Sequence, residues 1–392
     1  MAGIESEAAP GSPRALRDLN RRRVLEGLRE YGDLTQAQLS RRTGLAPATV
    51  SNIVQQLKTT GDVVVSHGAG RRRTVRLAPG AGFVLGVDLG HRHVAVVLAD
   101  LDHDLFVEER VALDPEVSAA DGMAETARLT EKVLRAAGVD RSEIISAAMG
   151  LPAPIDRTTR KVGSPTILPG WVGLDAEEVA SSTLDLPVRV HVDNDANLGA
   201  LAEWWWGAGA GYSDVVYLKL SDGVGAGLII NSTLYSGVSG TAGEIGHMTI
   251  DEYGDVCRCG NRGCLETFVS ASKVSSLLAP IVGNDLPIAE IVRLADDGDR
   301  ACARVLADVG KQVGRSLADL CSLLNPQLIL IGGELAQATA QMTTQMQAVI
   351  ARCGVPAAGE AVQIRPAGLG PRTQLMGTVA MAMREAPRVF NS

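Results

Sequence analysis

Aromatic side chains are scarce in this 392-residue chain: Phe, Tyr and Trp together make up 3% of it. Its core must therefore be built from Ala, Val, Leu and Ile, which a hydrophobic content of 46% supplies. No apolar run reaches the ~18 residues that a membrane-spanning helix needs, so no membrane anchor is expected. Residues 1–13 lack a basic start followed by an apolar stretch, so no secretory signal is read and the expected location is cytoplasmic. Cysteine is also sparse. Six in a cytosolic chain do not make a disulfide framework. Cys302, Cys321 and Cys353 stand singly and read as inert core thiols, whereas Cys257, Cys259 and Cys264 fall close together. Positive charge is short overall, at a net −8, but unevenly so. Residues 1–80 hold thirteen Lys/Arg and seven Asp/Glu; the rest hold 24 and 38. A basic head on an acidic body predicts that only the head meets nucleic acid.

The length implies two or three domains. In the head, residues 14–30 read as a helix with Leu16, Leu19, Val24, Leu25 and Leu28 at its apolar positions. Thr35 and Gln38 form a capping box that starts a second helix ending near Thr43. Gly44 permits a tight turn, and Pro47 suits the first position of a third helix. Val50, Ile53, Val54 and Leu57 then recur at i, i+3, i+4 and i+7 and give one apolar face. Thr49, Ser51, Asn52, Gln55 and Gln56 lie on the other faces and are the candidate DNA contacts. Strands at 62–66 and 74–77 enclose Arg71, Arg72 and Arg73, a wing tip suited to phosphates or a narrow minor groove. The pattern predicts a winged helix-turn-helix.

From residue 82 onward the pattern becomes buried strands. Strands at 83–88 and 94–99 form a hairpin, followed by a helix over 119–137 and a strand at 144–150. A similar start recurs at 215–220 and 225–230, again with a Gly-rich loop between strands. Two such lobes, each opening with a hairpin loop over a cleft, predict a duplicated α/β fold of the actin and sugar-kinase type.

His247, Cys257, Cys259 and Cys264 make a Cys3His set suited to tetrahedral Zn²⁺. Four protein ligands leave no open position, so the metal is expected to be structural. Asn194, Asp195, Glu244, His247 and Glu266 supply the carboxylates, amide and imidazole that pair with several sugar hydroxyls at once.

The chain resembles regulators of the ROK family (repressors, open reading frames and kinases). The resemblance rests on the run from Gly243 to His247, the cysteine loop from Cys257 to Glu266, the run from Val192 to Asn197, and the loops 151–156 and 168–171. It implies an N-terminal winged helix-turn-helix followed by a two-lobed, ribonuclease H-like domain. It also implies the same four zinc ligands, a sugar pocket lined by the matching acidic residues, and Asp195 at the catalytic-base position. The division it leads to is 1–80 for the DNA-binding domain, 81–198 for the first lobe and 199–375 for the second. The second carries the zinc site and the oligomer surface, and a helix over 376–392 returns to the first lobe.

The sequence departs from the family's kinases at both phosphate loops. Where they have Asp-x-Gly-Gly-Thr, this chain has Asp88-Leu89-Gly90-His91-Arg92; where they have Gly-Thr-Gly, it has Ser221-Asp222-Gly223. A bulky side chain and an anion at phosphate positions argue against phosphoryl transfer. Thr166 stands where relatives carry a sugar-contacting Asn. The expected protein is a sugar-responsive regulator without enzymatic activity. It would bind operator DNA as a homodimer or homotetramer, with the helix 299–324 as the contact element, although core packing accounts equally well for that helix's apolar face. The alternatives are an active ATP-dependent sugar kinase carrying a DNA-binding domain, or a partner-regulated protein with a vestigial pocket.

Overall fold

The computed structural model describes residues 20–21, 23–28, 31–67, 73–78, 82–101, 106–163, 167–283 and 286–386. Arg71, Arg72, Thr166, residues 14–19 and residues 387–392, all invoked above, lie outside the described residues.

The head begins with helical residues 20–21 and 23–28 (α1), then α2 (Gln36–Thr43) and α3 (Pro47–Thr60). The Thr35 hydroxyl accepts from the Gln38 N–H while the Gln38 side chain accepts from the Thr35 N–H, so two otherwise orphaned donors are satisfied at the start of α2. Gly44 ends α2 at a φ of 68°, and Pro47 opens α3. Val50, Ile53, Val54 and Leu57 are buried. Strands β1 (Val63–His67) and β2 (Arg73–Leu77) pair antiparallel. Leu34 joins them by exchanging two backbone hydrogen bonds with Val75, which completes a wing beside α3.

Among the described residues the body holds two five-stranded sheets of identical plan. In the first, β3 (Phe83–Leu89), β4 (His93–Asp100) and β5 (Phe106–Ala112) are antiparallel, and β6 (Ile144–Leu151) and β7 (Val190–Asn194) extend it in parallel after α4 (Ala119–Ala137) and α5 (Ala176–Leu184). Helix α6 (Asp195–Trp205) leads to the second sheet, whose strands β8 (Val215–Leu220), β9 (Val224–Ile230) and β10 (Thr233–Tyr235) are antiparallel. Helices α7 (Glu266–Val269), α8 (Ala271–Val282), α9 (Ile288–Asp296) and α10 (Arg300–Leu324) follow. Strand β11 (Leu328–Gly332), α11 (Thr339–Cys353), α12 (Pro356–Ala361) and β12 (Gln363–Pro366) complete it, with β11 and β12 parallel to β8. Numbered within each sheet, the spatial order is 3-2-1-4-5 both times. The last helix, α13 (Thr373–Glu385), packs on β3 and β6 and against α6, which itself lies on β8 and β9. The two helices thus form a layer between the sheets.

The apolar core of the head runs without a break into that of the body. Val24, Leu39, Val54 and Val75 belong to one buried cluster with Leu201, Trp205, Leu375 and Val379. The apolar face of α10 is consumed by the second lobe's own core, where Leu306, Val313, Leu317 and Cys321 are fully buried. Its pattern therefore follows from folding alone. One expectation is corrected: Cys302 and Cys321 are core thiols, but Cys353 is exposed, because it ends α11 just before Gly354 rather than facing inward.

Candidate functional site

The site opens at the carboxyl ends of β3, β6, β7, β8 and β11, where the two sheets face each other. Strand order reverses at such a place, and backbone termini leave room for a ligand. Asn194 and Asp195 stand where β7 turns into α6. The Asn194 amide oxygen caps the helix by accepting from the Ala196 N–H at 2.8 Å, and its nitrogen donates to the Ala153 carbonyl at 3.0 Å. This local fit fixes Asp195 at the first helical position, 95% buried and aimed into the cleft.

Asn194, Asp195, Glu244, His247 and Glu266 all line one pocket. Glu266 opens α7 and is held at both oxygens: it accepts from the Val224 N–H at 3.0 Å and pairs with Arg258 at 2.8 Å. Burial, reinforced by the charges of Asp195 and Glu266, pushes the Glu244 carboxyl up to about 7. Near neutrality it can thus donate as well as accept. Gly243 sets its position. Its φ is +95°, and a Cβ there would lie 1.9 Å from the Ala226 carbonyl oxygen. Gly243→Ala should cost about 1–3 kcal/mol in backbone strain and displace Glu244 and His247. A denaturant midpoint unchanged from the parent would contradict this close approach.

Lys219 was not singled out by sequence reasoning, yet it lies in the pocket wall and forms a buried ion pair with Asp195. The signal was present: it is the one charge in the strand run Val-Val-Tyr-Leu-Lys-Leu, whose other members are fully or nearly fully buried. Burial alone would depress the Lys219 ammonium, but the Asp195 carboxylate outweighs that and holds it above the usual lysine range. Arg258 was also missed, although its place between two cysteines puts it beside the pocket.

The His247, Cys257, Cys259 and Cys264 ligand atoms all lie within 4.8 Å of one another. Cys259 Sγ is 3.6 Å from Cys264 Sγ, and Cys257 Sγ is 3.5 Å from His247 Nδ1. A tetrahedron with zinc–sulfur arms of ~2.3 Å has edges of about 3.8 Å, so the donor set fits that ion. Gly263 makes the tight loop possible, since a Cβ on it would fall 1.5 Å from the Asp251 carbonyl oxygen. His247 turns Nδ1 to the thiols and Nε2 to Glu244, 3.9 Å away.

A larger cleft of about 420 Å³ adjoins the pocket. Its two Gly-containing loops grip each other. Asp222, after β8, meets Arg92 Nε at 3.3 Å and His91 Nδ1 at 3.5 Å, both after β3. The other Asp222 oxygen accepts from the Ser272 N–H at 3.1 Å. Asp88 is bound to His93 Nε2 at 2.8 Å.

In the head, Ser51, Asn52, Gln55 and Gln56 are exposed on α3 and Thr49 is half-buried. Arg73 is exposed at the start of β2, opposite His67. None of these residues lines the pocket.

Comparison with known proteins agrees with both halves. A winged helix-turn-helix DNA-binding model matches residues 17–61. The xylose repressor of Caldicellulosiruptor bescii is 27% identical over 96% of this chain and 98% of its own length. The DNA-binding transcriptional dual regulator NagC of Escherichia coli K12 is 28% identical over 85% of this chain and 84% of its own. A solved ROK family transcriptional regulator, a homolog of the E. coli MLC protein, shares the fold, with a TM-score of 0.76 over 94% of this chain and 96% of that one at 24% identity. The ROK family model itself spans residues 84–385, which takes in both sheets, the cysteine loop and the pocket, and the chain therefore belongs to the ROK family.

Proposed function

We propose that this chain is a sugar-responsive transcription regulator whose kinase-like body binds a sugar and does not transfer phosphate. The observation that carries it is the ion pair of Asp222 with Arg92, beside which His91 Nδ1 lies 3.5 Å from the same carboxylate oxygen. A phosphoryl-transfer site needs bare backbone and cations free to meet a polyphosphate. Here the two loops that would supply them are joined to each other. Asp195, at the base position, is engaged by Lys219 and is read as a partner for a sugar hydroxyl.

Zinc would be held by His247, Cys257, Cys259 and Cys264, and with four protein ligands it would supply a fixed charge and a cross-link, not a reaction centre. The cysteine loop then places Arg258 and Glu266, and His247 presents Nε2 to the ligand. Among the described residues no helix is long and apolar enough to cross a membrane. Operator binding falls to α3, through Asn52, Gln55 and their neighbours, and to the wing arginines. One helix-turn-helix reads a half-site, so the active form is at least a homodimer.

Sugar binding between the lobes would shift the α6–α13 layer, and the head, whose core is continuous with that layer, would move with it. Operator affinity then changes by the sugar's differential affinity for the two arrangements. Arg71→Ala should reduce the slope of log affinity against log salt by about one. An unchanged slope, measured by anisotropy, excludes Arg71 as a phosphate contact.

The test of the reading as a whole is a thermal-shift screen of zinc-loaded protein against sugars, paired with a coupled ADP-release assay. Stabilisation by a sugar without ADP release supports it. ADP release at enzymatic rates would instead favour the kinase reading.

A further inference from the structure

The sugar pocket, which encloses about 30 Å³, and the larger cleft adjoin each other. They share Ile167, Asp195, Lys219 and Gly223 as common walls. The cleft's volume of about 420 Å³ falls within the ~300–1,000 Å³ of sites that enclose a whole small molecule.

The charges lining it disfavour a polyphosphate. Asp88, Asp195, Asp222 and Glu334 face it, against Arg92, Arg110 and Lys219 as full cations. Arg92 is held by Asp222 and Lys219 by Asp195. An added anion would meet more carboxylates than cations where water is partly excluded. What remains suits hydroxyls: the Gln337 and Gln374 amides and the Ser221 hydroxyl also line the space. Gln374 is oriented by donating to the buried Tyr217 hydroxyl at 2.8 Å.

The junction carries a further constraint. A free sugar hydroxyl there could donate to Asp195, but a glycosidic oxygen has no proton and can only accept. Lys219, an ammonium with three donors, lines both spaces at that junction.

We propose that the cleft is a second sugar subsite and that the effector of this chain is a disaccharide. One ring lies beside Glu244 and Glu266, the second lies in the cleft near Gln337 and Gln374, and the bridging oxygen accepts from Lys219. This rests on the sugar-binding reading above and names its ligand class.

Isothermal titration of the full, zinc-loaded chain tests it, with glucose, galactose and xylose set against gentiobiose, melibiose, cellobiose and xylobiose. At least one disaccharide should bind ten times more tightly than either of its constituent monosaccharides. Ala336→Trp, which fills the cleft from a half-buried position on the turn after β11, should abolish that advantage while leaving monosaccharide affinity unchanged. Gln337→Ala, at an exposed position, should weaken disaccharide binding threefold or more. Monosaccharides that bind as tightly as every disaccharide would overturn the proposal while leaving the sugar reading intact, as would a disaccharide advantage that survives both substitutions. Binding of neither class would contradict both.

Discussion

Cys264→Ser protein should purify with less than one zinc per chain and melt well below the parent. Cys264 is fully buried and contacts both Cys259 and the His247 carbonyl, so serine leaves the donor set one thiolate short. Structural zinc contributes on the order of 10 kcal/mol in isolated metal-folded modules. In this larger body the loss should be confined to the loop, but that loop carries residues that line the pocket. Glu266 lies two residues beyond Cys264, and Arg258 lies between Cys257 and Cys259. Disturbing the residues that support metal ligands commonly costs about 10–100-fold in metal affinity or activity, and a fall in affinity for the proposed sugar is expected here as well. Cys353→Ser is the control: the thiol is exposed and outside the cluster, so zinc content and melting should not change. A Cys264→Ser protein that retains a full equivalent of zinc would contradict the site.

The second large effect concerns Glu203, which is completely buried in α6. Its carboxylate gathers the N–H groups of Ala208, Gly368 and Leu369 at 2.8–2.9 Å and the Thr373 hydroxyl at 3.2 Å. It thereby ties α6 to the loop between β12 and α13, and Ala367, Gly370 and Pro371 of that loop wall the cleft. Hydrogen bonds to a charged group contribute about 1.5–3 kcal/mol each, and their removal strands the donors. Glu203→Ala should therefore destabilise by about 3–5 kcal/mol, a large part of a typical total of ~5–15 kcal/mol, and lower the melting temperature by roughly 5 °C. Glu203→Gln keeps an acceptor oxygen and should lose less. Equal stability of parent and Glu203→Ala by urea unfolding would show that the tie contributes nothing.

The head was legible in sequence because its signals are local. Thr35 and Gln38 lie three apart and Pro47 opens its own helix. The apolar residues of α3 repeat at the helical period, so each element could be read without knowing what it packs against. The thiol–imidazole set was legible for a related reason, since three thiols and an imidazole so close along the chain suit a soft metal far better than they suit a core or a surface. The gathering of Asp195 with Glu244 and Glu266 was carried by the family resemblance, because it depends on two strands and a turn that only the fold brings together.

What escaped sequence reasoning is long-range pairing. Asp222 was read as a charge that repels phosphate. The structure gives it partners about 130 residues away, in His91 and Arg92, so its effect is to bridge the loops as well as to repel. Lys219 is uninformative until its neighbour Asp195 is known. The apolar face of α10 cannot by itself say whether a lobe core or another subunit covers it, and here the lobe core does.

The central claim is that a sugar in the body changes what the head does on DNA. The direct measurement is fluorescence anisotropy of zinc-loaded protein on a duplex it has itself selected from a random library, with and without a sugar that raises its melting temperature. Saturating sugar should shift operator affinity about 5–150-fold, the range of ordinary coupling energies of ~1–3 kcal/mol. A sugar that binds and stabilises the protein while leaving operator affinity unchanged would contradict it.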